Sequence, residues 1–370
     1  MMRLNSRDRL VLRFDVLESE PQNFRYRLHH CDRQWRVDDA APFDFINGFE
    51  EEAIVNYQHS FTTQQEYVNY NQSLPPENSD LILSGNYVVE VFLEEQPDSV
   101  ILTRRFCVFE DIVDIQLSVD KPLHASGDVW RDQEVNVSVA MRPDIFIANP
   151  TSSLTVTVQQ NQRTDAVHTL PFSGYEGQTL MYRWQQANLF PGGNCFRFFD
   201  SSNLHASMYN IARIENYGGE TFAILSPLEN RSRKPYVYEQ TLNGGMKVNV
   251  WDRQSPATEA DYVEVNFTLP MDYPLMNGGV YIIGDLTDWL FNDASRMEWK
   301  PEYNAYFKRL LLKQGYYAYQ LLVWFKGEPC ASTAILEGDH FEMPNDYTVR
   351  VYLRQLSDRF DRLAGVRTRQ

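Results

Sequence analysis

Apolar residues recur at every second position in runs that reach from one end of the chain to the other. Leu10, Leu12, Phe14 and Val16 alternate with Arg9, Val11, Arg13 and Asp15, and Tyr87, Val89, Val91 and Leu93 alternate with Val88, Glu90, Phe92 and Glu94. The same period returns at Val135, Val137 and Val139, at Leu154, Val156 and Val158, at Val263, Val265, Phe267 and Leu269, and at Val349, Val351 and Leu353. Successive strand side chains point to opposite faces, so each run predicts a strand with one dry and one wetter face. No comparable stretch shows helical spacing, and the short segment 357–363 is the one helical candidate.

A single hydrophobic core stops growing near roughly 250–300 residues, and sandwich domains are often about 100. The 370 residues therefore divide naturally into three. The expected architecture is all-β, three immunoglobulin-like β-sandwich domains in tandem over 1–111, 112–235 and 236–355, with a tail at 356–370. Strands are predicted near 9–16, 23–31, 53–61, 85–94 and 101–109 in the first unit. The second holds 134–140, 154–160, 179–184, 195–199 and 221–225, and the third 263–269, 280–284, 306–312, 316–323 and 347–353. Leu74-Pro75-Pro76-Glu77-Asn78 is too proline-rich for a central strand and reads as loop. The alternation resumes directly after Phe109-Glu110-Asp111, which predicts a stiff junction, whereas Arg231-Ser232-Arg233-Lys234-Pro235 reads as a basic linker. Sandwiches of this kind usually bind rather than catalyse.

Composition narrows the partners. The aromatic load of 14%, with 21 Tyr and 22 Phe, suits buried strand faces and argues against disorder. Lys and Arg number 34 against 50 Asp and Glu, a formal charge of −16. Such a surface repels phosphate backbones and anionic membranes, so no nucleic acid and no direct membrane insertion are expected. It favours solubility or a basic partner. No run of about 18 apolar residues is present to cross a bilayer as a helix. The start, Met1-Met2-Arg3-Leu4-Asn5, shows no secretory leader and taken alone suggests the cytoplasm.

Enzyme and metal signatures are missing from the sequence. There is no P-loop, GxSxG elbow, HExxH or GxGxxG after a strand, and Cys31, Cys107, Cys195 and Cys330 form no CxxC pair, so neither catalytic residues nor cofactors nor a metal are expected. A disulfide remains open to Cys31 and Cys107, which share the first unit. In His29-His30-Cys31-Asp32 the alternation places His29 and Cys31 on one face and His30 with Phe24, Tyr26 and Leu28. Two ligands on one face do not close a zinc site, so the segment reads as a core histidine and a buried thiol. Glu50-Glu51-Glu52 reads as a solvated turn.

One segment suggests a ligand. Val280-Tyr281-Ile282-Ile283-Gly284-Asp285-Leu286-Thr287-Asp288-Trp289, followed by Gly315-Tyr316-Tyr317-Ala318-Tyr319, resembles early-set, immunoglobulin-like modules that bind starch or glycogen. Exposed tryptophans stack on sugar rings, which makes Trp289 and Trp299 glycan-binding candidates. The same turn would equally use Trp289 as an anchor in the core, and a fold analogy alone does not establish a site.

Taken over the whole length, the segments resemble the plug proteins of the type IX secretion system. The first domain carries His30-Cys31 with Trp35, Gly48-Phe49, His59-Ser60-Phe61-Thr62-Thr63, Ser84-Gly85-Asn86-Tyr87 and Thr103-Arg104-Arg105-Phe106. The second carries Gln133-Glu134, Asn149-Pro150, Gln160-Asn161 with Arg163, and Gly192-Gly193-Asn194 with Phe196-Arg197. The third carries Ala260-Asp261-Tyr262, the 280–289 segment, Lys313-Gln314-Gly315, Glu337-Gly338, Asn345-Asp346-Tyr347 and Asp361-Arg362-Leu363. Two departures stand out: Cys195 where the family run Asn-Glu-Phe-Arg has Glu, and Met343-Pro344 where Thr-Glu is usual. The resemblance implies a non-enzymatic periplasmic protein, monomeric apart from its partner. It would dock on the giant outer-membrane β-barrel translocon and close the periplasmic opening of an idle channel. It also implies that a signal peptide and a further N-terminal strand precede Met1, so that the sequence is truncated. Which residues touch the translocon stays unknown at this level.

Overall fold

The alternating runs fold as strands, and the protein is all-β. The computed structural model describes residues 1–124, 126–206 and 208–369. Among these, α-helix is confined to Pro42–Phe45, Pro150–Ser153 and Pro256–Glu259. Each opens on a proline, whose fixed φ and missing N–H suit a first turn. The expected helix at 357–363 is not formed; Arg362–Arg369 is a strand. Leu363 and Ala364 are buried there, and the strand's backbone pairs with Tyr347–Leu353. Long-range pairing outweighs a weak local helical preference.

In the N-terminal unit Phe24–Cys31 lies between Gly85–Leu93 and Glu51–Ile54, with Val100–Phe109 beyond Gly85–Leu93. Leu10–Val16, Val68–Leu74 and Tyr57–His59 form the facing sheet, and Phe24, Tyr26, Leu28, Tyr70, Tyr87 and Val91 fill the space between. Val68–Leu74 is central to that sheet yet is too rich in Asn, Gln and Ser to stand out in the sequence; Asn69 and Gln72 are buried within it. Glu50-Glu51-Glu52 is not a free turn. Glu51 begins the edge strand, where it pairs with Arg25 at 2.8 Å across the ladder.

The other two units do not follow the boundaries expected at 235 and 355. The middle sandwich sets Val113–Asp120, Asp132–Met141, Thr179–Tyr182 and Gly174–Glu176 against Val167–Leu170, Leu154–Gln160, Tyr347–Leu353 and Arg362–Arg369. The last two strands thus return from the far end of the chain. Tyr347, Val349, Val351 and Leu353 complete the middle core with Val135, Val137, Val156 and Val158. The remaining sandwich takes Arg197–Asp200, Ile211–Tyr217 and Glu220–Leu225, assigned above to the second unit or unassigned, together with Met246–Val248, Tyr262–Pro270, Gly278–Ile283, Glu298–Lys300, Ala305–Lys313 and Gly315–Phe325. Arg231-Ser232-Arg233-Lys234-Pro235 is therefore internal to this sandwich rather than a linker. Period-two alternation marks strands but carries no information about which distant strand is the neighbour.

All three pairs of units touch through buried polar contacts. First and middle meet where Arg362 forms a two-pronged ion pair with Glu110 (2.7 and 2.5 Å), Glu110 and Ile112 donate backbone N–H groups to Leu363 and Ala364, and Arg33 pairs with Asp361 at 3.1 Å. Middle and third meet at Gln133, whose amide donates to the carbonyls of Phe341 and Met343 at 2.6 Å, and at the buried Arg163–Asp165 pair, which engages both backbone groups of Ala331. First and third meet at Asp15, which accepts from Lys313 Nζ at 2.6 Å and Tyr262 Oη at 2.7 Å. Asp261 accepts the backbone N–H groups of Gln64 and Gln65 close by. Burial pushes the Lys313 ammonium down from its ordinary range, opposed by Asp15. The three sandwiches close a triangle rather than a string.

Candidate docking surface

The glycan candidates are placed by packing. Gly284 ends Gly278–Ile283, and the chain turns through Asp288 and Trp289, both left-handed with φ of 52° and 58°. The indole goes inward: Trp289 is 4% exposed, its ring meets Phe196 edge to face at 6.0 Å, and its Nε1 donates to Asp285 Oδ1 at 2.7 Å. Gly244 lies against the ring so closely that a Cβ there would come within 2.4 Å of it. Trp289 thus clamps the crossing segment around Gly244 and offers no face to a sugar. Trp299 packs edge to face on Tyr306 at 5.1 Å, against the separate core between the two sheets of the third unit. The structure does not bring the two tryptophans onto one surface.

Trp289 shares its cluster with Cys195 and Met343. Cys195 and the Met343 of the second departure therefore fall in one buried apolar cluster, where Cys195 Sγ lies 3.4 Å from Tyr236 Oη, while Pro344 is exposed. Apolar residues at both positions satisfy each other where polar ones would need partners.

The His-Cys segment is structural. His30 Nδ1 lies 2.6 Å from Asp38 Oδ2 and Nε2 lies 3.2 Å from the Ser84 carbonyl, while His29 turns outward to Glu90. No cluster of three or more potential metal ligands occurs among the described residues. Cys31 and Cys107 do not form a bridge. Both are register partners of Asn86, one on each side of Gly85–Leu93. Two strand spacings, roughly 10 Å, exceed the reach of a disulfide. Burial pushes the Cys31 thiol up to about 12, and the Cys107 thiol up as well.

Isolated exposed apolar side chains are ordinary on a folded protein; a concavity with an aromatic floor is the stronger candidate for a contact. Tyr262–Pro270 pairs antiparallel with Ala305–Lys313, and its Tyr262–Lys313 end is the one locked to Asp15 of the first unit. Gly315–Phe325 starts at that same end and runs about 35 Å to the opposite one. There Leu275 donates its N–H to Tyr306 Oη, Met271 to the Asn304 carbonyl, and Lys326 to the Asn277 carbonyl. These bonds hold the loop after Pro270 upright, with Tyr273 80% and Met276 84% exposed. Beside it a concavity of about 460 Å³ is lined by Tyr281, Arg296, Trp324 and Lys326, with open backbone at Gly327. Phe291 stands edge on to Trp324 at 4.7 Å and to Tyr281 at 5.4 Å, fixing the aromatic floor. Among the described residues neither Arg296 nor Lys326 has a carboxylate within ion-pair distance. Sequence reading passed over this tip because Asn277-Gly278-Gly279 looks like any turn; the flanking Tyr273 and Met276 were the available signal.

The family model described as "Type 9 secretion system plug protein 1st domain" matches residues 1–110, the sandwich that carries Met2–Arg3 through Val100–Phe109. A crystal structure of a hypothetical protein from Parabacteroides merdae ATCC 43184 shares 30% sequence identity and superposes with a TM-score of 0.96, over 100% of this chain and 92% of that one. No curated protein matches the chain. The likeness thus extends through the middle and third sandwiches, beyond the segment the family model describes. On the match to its first domain and the whole-length structural relative, this chain belongs to the type 9 secretion system plug protein family.

Proposed function

We propose that the protein is a non-enzymatic periplasmic plug that docks on the giant outer-membrane β-barrel translocon of the type 9 secretion system and closes its periplasmic opening. The observation that carries this reading, beside family membership, is the three-way lock. Asp15–Lys313 ties the first sandwich to the third, Glu110–Arg362 the first to the middle, and the middle unit's Arg163–Asp165 pair grips the Ala331 backbone of the third. A body that must block a wide hole has to keep its shape, and three fixed junctions remove the hinge motions that tandem domains otherwise allow. A net charge of −16 keeps such a body soluble and off anionic lipid, so its place is set by a protein partner.

Affinity isolation of the tagged protein from native envelopes tests the reading. A very large outer-membrane barrel should co-purify, and cells lacking the protein should admit a large hydrophilic antibiotic while the translocon is present. Recovery of soluble cytoplasmic proteins alone, with an unchanged permeability barrier, would refute it.

A further inference from the structure

The tip of the third sandwich points to the contact surface. We propose that this concavity, with the exposed loop that carries Tyr273 and Met276 and enters it at Asn277, receives an extended protein segment carrying an aspartate or glutamate beside apolar side chains. The inference rests on the docking reading above and supplies its address. Three observations converge on it. First, Tyr281 and Trp324 form an aromatic floor held in place by Phe291, and aromatic residues set in a depression are what binding hot spots are made of. Second, Arg296 and Lys326 line the same concavity and are cations without ion-pair partners among the described residues, on a chain of net charge −16. Unpaired positive charge on an acidic body selects a carboxylate at short range while the overall field repels anionic surfaces. Third, Gly327 is exposed with open space where a Cβ would stand, so a partner's main chain can approach the backbone there. The tip also lies at the strand ends opposite the junction with the first unit, where no neighbouring sandwich strand is paired.

The test compares full-length variants in the same envelope isolation. Arg296→Glu with Lys326→Glu reverses the charge, and Tyr273→Ala with Met276→Ala strips the adjoining loop. Phe146→Ala, an equally exposed site on the middle unit, is the control. Each double variant should lower barrel recovery roughly 10-fold or more, as loss of a hot spot does, with an unchanged melting curve, while the control captures normally. Tyr273 and Met276 are surface residues, so the second pair stays informative even if charge reversal perturbs folding. Normal barrel capture by both double variants would overturn this assignment and leave the plug reading intact; no barrel captured by the wild type would overturn both. Retention of the wild type on α-glucan resin that Trp324→Ala abolishes would identify a sugar and overturn the protein partner. Self-association lost in the Tyr273→Ala, Met276→Ala variant would do the same in favour of a second copy.

Discussion

Glu337 shows how much one side chain can hold. Its carboxylate is wholly buried and accepts from Arg197 at 2.9 and 3.1 Å, from Arg231 at 2.8 and 2.5 Å, and from the Leu321 N–H at 2.8 Å. Burial alone would push this carboxyl up, but the two guanidiniums and these hydrogen bonds override it and hold it below the ordinary range. Its stabilising contribution is therefore complete above the unfolded value of about 4.3 and is lost as pH falls through the lower folded value. Glu337→Gln should cost about 3–5 kcal/mol at pH 7 by leaving buried guanidiniums uncompensated. The gap to wild type in urea melts should shrink in acid; an equal gap at pH 7 and below the folded value would contradict the linkage. The cysteines give a second readout at this scale. Cys31, Cys107 and Cys195 are buried and Cys330 is exposed, so a maleimide should modify one thiol in the native protein and four after denaturation, with or without reductant.

At the scale of elements, the returning C-terminal strand and the approach of Gly192 to the third unit decide the architecture. Arg362–Arg369 covers the edge of Tyr347–Leu353 and places Leu363 in contact with Cys107 and Tyr352 at the first junction. A chain ended after Leu356 would expose an apolar strand edge and open the middle core. It should run as aggregate on gel filtration, and a monodisperse, fully folded truncation would show that the strand is dispensable. Gly192 stands where a Cβ would fall 2.1 Å from the His340 carbonyl oxygen and 2.8 Å from that of Arg131. Both are backbone atoms that cannot rotate away. Gly192→Ala should destabilise by about 1–3 kcal/mol, as overpacking does, and speed protease cleavage near 339–345.

For the whole molecule the consequence of a triangle is cooperativity. A unit in a string is released by breaking one junction, whereas here each sandwich is held by two. Heating should give a single transition by calorimetry, with agreement between calorimetric and van't Hoff enthalpies; three resolved transitions in the wild type would contradict the lock. Asp15→Ala leaves Lys313 and Tyr262 without their acceptor and should cost about 3–5 kcal/mol. The radius of gyration from X-ray scattering should nevertheless stay that of the wild type, because the first unit remains fastened through Glu110–Arg362 and Arg33–Asp361.

Alternation along the sequence marked most of the long buried strands and the all-β class, though not Val68–Leu74 or the C-terminal strand. Alternation at Val135/Val137/Val139 or Val263/Val265/Phe267/Leu269 is a local consequence of the pleat, and each of these runs is a buried strand face. The turn at Gly284 and the ordered family segments were legible for the same reason. Only the tertiary structure decided which strands are neighbours. Tyr347–Leu353 reads like any other strand, and its pairing with Leu154–Gln160 across nearly two hundred residues depends on core shape and junction contacts that no local pattern encodes. It alone decided that Trp289 faces inward, that Cys31 and Cys107 sit on opposite sides of Asn86, and that Tyr281, Arg296 and Trp324 line one concavity. Exposure and proximity belong to the packed whole: an aromatic residue is core or contact according to what the rest of the chain lays against it.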